Sequence, residues 1–131
     1  EELELLGCPC DDAAVFHSFR ELVDPDAAHP WQLWYLRAAH VMILIGDCLF
    51  VHGAVRSRGL LLVPADECRD GEMETQPPGV RLPASTPIED WVAEVNAWKA
   101  RQLRAFEAFP RFRRPQGRRG EERWRGGAPL M

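Results

Sequence analysis

The residues best placed to do chemistry lie in one stretch, Ile45-Gly46-Asp47-Cys48-Leu49-Phe50-Val51-His52-Gly53-Ala54-Val55. A nearly continuous apolar run delivers one imidazole, His52, and a glycine follows at once. A neutral imidazole is a good ligand for zinc, iron or manganese. Sheet ends are where layered α/β folds keep their sites, and a glycine beside a ligand lets backbone approach closely. Taken as chemistry alone, a lone histidine after a strand is more often a packed or hydrogen-bonded core residue than a ligand. The other histidines, His17, His29 and His40, fall on or beside expected helices and read as structural or surface residues. Cys8, Cys10 and His17 could supply three metal donors, but no second paired motif at zinc-ligand spacing accompanies them. A basic run from Arg111 to Arg125 includes Phe112 and Trp124, aromatic rings able to stack on bases.

The segment Gly46-Asp47-x-Leu49-Phe50-Val51-His52-Gly53 closely resembles the Gly-Asp-x-Leu-Phe-Val-His-Gly-Gly-Leu stretch of calcineurin-like metallophosphoesterases, nearest to their bacterial-like serine/threonine phosphatase branch. Ala54-Val55 departs mildly from the family's Gly-Leu. The resemblance implies that His52 is a ligand to one of two catalytic metals (manganese, iron or zinc). Such a pair, about 3.5–4 Å apart, clamps a phosphoryl group and activates a bridging water. Trp34-Tyr35-Leu36-Arg37 before Val41-Met42-Ile43 looks like the family's helix leading into this hairpin. Trp91-Val92-x-x-Val95-Asn96-Ala97-Trp98 looks like its helix after the histidine loop, where an asparagine is common. Trp124-Arg125-Gly126-Gly127 resembles a later Trp–Arg–Gly segment, which implies that Arg125 anchors phosphate through its guanidinium. Arg125 reads equally as part of a solvated basic tail.

The family's Gly-Asp-x-His, Gly-Asp-x-x-Asp-Arg-Gly and Gly-Asn-His-Glu signatures, which hold most of its metal ligands, do not occur here. Glu1 to Gly7 looks like the stretch just after the family's Gly-Asn-His-Glu, and the family's last ligand histidine would fall beyond Met131. With no initiating Met, the expectation is a C-terminal-half fragment of a phosphoesterase, without catalytic residues of its own and inactive alone. Its parent would hydrolyse phosphoprotein or nucleotide phosphate.

Elements must position these residues. Val15, Phe16, Phe19, Leu22 and Val23 share one helical face over 12–23, with Asp11 or Asp12 to cap it and Asp24-Pro25 to stop it. A helix over about 29–39 begins with Pro30 in its first turn and gathers Trp31, Trp34, Tyr35 and Ala38 on a face. Val41 to Ile45 and Cys48 to Val51 predict a β-hairpin, with Gly46 at the positive-φ position of a type II′ turn. Their continuous hydrophobicity predicts burial on both faces. Leu60 to Val63 predicts a short strand closed by Pro64. Residues 64–87, with five prolines, read as a long loop or insertion. A helix then starts with Thr86 as N-cap, Pro87 first and Glu89 closing a capping box. It carries a stripe from Ile88 through Trp91, Val92, Val95, Trp98, Gln102 and Phe106 to Phe109, where Pro110 ends it.

The fold class expected is α/β: an incomplete layered sandwich of the metallophosphoesterase type, with the hairpin at 41–52 and flanking helices. Residues 1–110 would be the partial domain and 111–131 an Arg/Gly-rich tail. Lacking its other strands, such a piece should expose a hydrophobic sheet edge or face and self-associate. Residues 1–98 carry 17 acids and 6 bases, residues 99–131 carry 3 acids and 10 bases. The rival reading is therefore a small α/β module whose basic tail binds nucleic acid or another polyanion. The acidic body and the lack of a recognised nucleic-acid motif argue against it. No apolar run approaches the roughly 20 residues of a membrane span. Four cysteines without a disulfide spacing point to reduced thiols and a cytoplasmic location.

Overall fold

A computed structural model describes residues 5–9, 11–66, 79–110 and 127. The element order is α1 (Asp12–Val23), α2 (Trp31–Ala38), β1 (Met42–Ile45), β2 (Cys48–Val51), a 3-10 turn (Ser57–Gly59), β3 (Leu62–Pro64), β4 (Gly79–Arg81) and α3 (Ile88–Ala108). The chain divides into two compact units, Glu1–Ala38 and Ala39–Met131.

In the first unit, α1 packs on α2. The carboxylate of Asp11 accepts from Ala14 N–H at 2.8 Å and so caps α1. Asp24 ends the helix in an extended conformation, as the following proline requires. The apolar face of α1 is uncovered: Val15, Phe16 and Phe19 are all exposed, and α1 buries no residue. In α2 the aromatic face is likewise outward. Trp31, Trp34 and Tyr35 are exposed, while Leu33 between them is fully buried.

The second unit is built on α3. Its core joins Trp91, Val95 and Trp98 to Val63 of β3, with Val41, Met42, Leu49, Leu61, Leu82 and Ile88 packed against them. β1 and β2 form an antiparallel hairpin in which Ile45 pairs with Cys48 and Met42 with Val51. The two-residue connection works because Gly46 takes φ +62, which the first central position of a type II′ turn requires. β3 and β4 form a second antiparallel pair, with Leu62 opposite Arg81 and Pro64 opposite Gly79. The indoles of α3 hold β3: Trp91 Nε1 donates to Leu62 O at 2.9 Å, and Trp98 Nε1 to Ala65 O at 3.0 Å. Among the described residues these elements are a mixed α and β arrangement of two small two-stranded sheets, not a layered sandwich.

Three expectations change. Burial alternates along β1 and β2 instead of covering both faces, so Ile43, Ile45 and Phe50 are exposed. The hairpin's apolar runs are continuous because both sides are hydrocarbon, yet only one side meets α3. The 64–87 stretch is not all loop, since Gly79–Arg81 forms β4. Three residues, one of them glycine, carry too little periodicity to announce a strand. Finally, α3 begins after Pro87 with no side-chain cap, so the Thr86–Glu89 box does not form. Thr86 instead uses its backbone N–H in a turn to Pro83 O at 2.9 Å.

The loop between His52 and β3 ends at Leu61, whose φ of +58 is unusual for a side chain of its kind. That conformation costs about 1–2 kcal/mol. It persists because Leu82 N–H donates to Leu61 O at 2.8 Å and the Leu61 side chain joins the core. The Arg81 guanidinium also grips Leu60 O and Arg58 O.

Candidate metal centre

His52 sits one residue past β2, where its N–H donates to Val41 O at 3.3 Å and extends the ladder by a rung. Alternation along β2 puts Cys48 and Phe50 outward, and the next alternate position is His52, also exposed. The imidazole therefore stands at the open end of the hairpin, next to the bare apolar face, and is not turned into packed hydrocarbon. Among the described residues β2 is paired on one side only, by β1. Gly53 adopts φ +101 with open space around its Cα. The positive φ by itself accounts for a glycine where the chain turns after His52.

The strand opposite His52 is fixed by polar side chains of α3. Asn96 Oδ1 accepts from Val41 N–H at 3.0 Å and Met42 N–H at 3.3 Å, and its Nδ2 donates to Met42 O at 2.8 Å. One turn on, Lys99 Nζ donates to Ala39 O at 2.7 Å. Lys99 is buried, and that desolvation pushes its ammonium below the ordinary lysine value of 10.5. Asp66 accepts from Arg101 Nε and Gln102 Nε2 on the same helix. Sequence spacing placed Gln102 on the apolar stripe but gave no sign that Lys99 and Asn96 face inward. An asparagine amid Val92, Val95 and Trp98 is the one signal that could have marked a half-buried hydrogen-bonding position.

No group of three His, Cys, Asp or Glu side chains among the described residues could hold a metal ion. Among the described residues His52 belongs to no such group, and these residues do not fit a catalytic metal pair by themselves. His17 lies 3.5 Å from Glu21 on the exposed side of α1, His29 packs edge-on against Trp34, and His40 is exposed. Cys8 and Cys48 are free, exposed thiols. The suggested Cys8, Cys10 and His17 cluster includes Cys10, which lies outside the described residues, as do Arg125, Phe112, Trp124 and the whole run from Arg111 to Arg125. Among the described residues no helix is long and apolar enough to cross a membrane. No family model, characterised protein or solved structure matches this chain.

Proposed function

We propose that this chain carries part of a calcineurin-like metallophosphoesterase domain and contributes one metal ligand, His52, to a centre whose other donors lie on other polypeptide segments. The observation behind this reading is the placement of His52: an exposed imidazole at the open end of a hairpin strand, beside an uncovered apolar sheet face. In a complete layered α/β sandwich the remaining elements would cover Ile43, Ile45 and Phe50 and bring the missing ligands to His52. The metals would be a divalent pair, manganese, iron or zinc, and the substrate a phosphoprotein or nucleotide phosphate. Arg125 is assigned as a phosphate contact by the sequence resemblance alone. The bare sheet face favours self-association of the isolated chain, and free Cys8 and Cys48 fit a reducing, cytoplasmic setting.

Two assays test the reading. The chain alone, given an aryl phosphate and manganese, should show no turnover; turnover abolished by His52→Ala would mean that a complete site is present. Fused behind a polypeptide bearing the three absent signatures, it should hydrolyse the same substrate in a manganese-dependent way. His52→Ala should then lower the rate by at least about 100-fold. A folded, active fusion indifferent to His52→Ala sinks the assignment. The polyanion-binding alternative would be favoured by a salt-dependent gel shift lost on deleting residues 111–125.

A further inference from the structure

We propose that Asn96 is a positioning residue for His52, setting where along α3, and at what height above it, the hairpin presents the imidazole. The inference rests on the reading of His52 as a ligand, but its geometry stands by itself. Antiparallel pairing alternates bonded and open positions. Because His52 N–H bonds Val41 O, the N–H and C=O of Met42 face away from β2, along the outer edge of β1. Both of those groups are taken by Asn96, together with Val41 N–H. One carboxamide thus does for this edge what a further strand would do, with three hydrogen bonds to two consecutive residues.

The side chain suits the task for a chemical reason. Two adjacent N–H groups need an acceptor with two lone pairs, and the carbonyl beside them needs a donor. Of the short side chains, only asparagine supplies both at fixed separation. An aspartate would meet Met42 O with an unprotonated oxygen; alanine would leave all three backbone groups without this partner. Asparagine in a helix interior is disfavoured by propensity, so its place on the inward side of α3 is explained by these bonds. Lys99 extends the grip to Ala39. The path from α3 to the imidazole is short: Asn96 fixes Val41 and Met42, and Val41 O and the Met42–Val51 pair fix the last rung before His52.

The test is amide hydrogen exchange by NMR on the full chain, with Asn96→Ala and Asn96→Asp. In Asn96→Ala the amides of Val41, Met42 and His52 should exchange at least about ten-fold faster. The Leu82 amide, bonded to Leu61 O, should change far less, and the His52 ring resonances should shift. Asn96→Asp keeps the double acceptor, so it should restore part of the protection at Val41 and Met42. If Asn96→Ala does not fold, Asn96→Asp against the wild type decides by the same amides. An unchanged His52 amide, or one uniform factor at every amide, overturns the proposal, because a merely stabilising residue acts uniformly. No metal enters this experiment. Failure of the fused chain to hydrolyse phosphate would remove the functional reading and leave this result standing, and the reverse also holds.

Discussion

The two strand pairs share one apolar core on α3 but are fastened to that helix by different additional contacts. Beyond the packing of Val41 and Met42, β1 is held by polar groups, the Asn96 carboxamide and the Lys99 ammonium, which reach backbone atoms from Ala39 to Met42. β3 is held by indoles, which fill the core with their rings and bond Leu62 O and Ala65 O with their N–H groups. The difference stems from how each pair is closed. β1 and β2 are joined by a two-residue turn that fixes their register locally, so the helix need only locate them. β3 and β4 are separated by a long stretch of chain, and loop closure gives them little register of their own. For them the apolar anchor must supply most of the free energy.

That contrast can be broken by substitution. Trp91→Ala should have the largest effect, about 3–5 kcal/mol of destabilisation in urea unfolding followed by circular dichroism, with loss of the β3–β4 pairing. A cost below that of changing the β1–β2 turn would show that the indole is not the main anchor. Trp98→Phe keeps most of the apolar volume and removes only the donor to Ala65 O, so about 1–2 kcal/mol is expected. Gly46→Val forces a β-branched residue to positive φ and should cost about 1–2 kcal/mol. Its effect on amide exchange should be confined to β1 and β2; spread to Leu82 would mean that the pairs are not independently registered.

The polar anchor can be sharpened through pH. Burial lowers the Lys99 pKa below 10.5, so the unfolded chain binds the extra proton between the lowered value and 10.5. Stability should rise with pH across that window, level off above 10.5 and lose this contribution as pH falls through the lowered value. Subtracting the Lys99→Met unfolding curve from that of the wild type isolates the effect; a flat difference would reject it. The smallest change in stability, within about 0.5 kcal/mol, is expected for Ile45→Lys on the exposed face. The same substitution should reduce association measured by sedimentation, if the bare sheet face mediates it.

Elements whose signals are local were legible in the sequence. Asp11 and Asp24-Pro25 bound α1 where expected, and Gly46 announced the hairpin turn. The α3 stripe gave the core residues Trp91, Val95 and Trp98 because a period of 3.6 needs no partner to be read. Features that depend on distant chain were not legible. β4 exists because Gly79–Arg81 lies against β3, and Asn96 matters because of where Met42 falls. Hydrophobicity alone did not tell which faces are covered: Phe16, Trp31 and Phe50 are as apolar as Trp91, yet they face outward. For the candidate site, sequence located His52 at the strand end, and the positive φ of Gly53 emerged only from the structure.

The burial of Trp91 and Trp98, set against the exposure of Trp31 and Trp34, gives the chain internal optical reporters. A solvent-excluded indole with its N–H engaged should emit at shorter wavelength and resist a water-soluble quencher, whereas the outward pair should be quenched readily. In a Trp124→Phe background, with Trp31 and Trp34 in Glu1–Ala38 and Trp91 and Trp98 in Ala39–Met131, the red and blue parts of the emission would follow the two units separately. Independent melting of the units would then be visible without any added label.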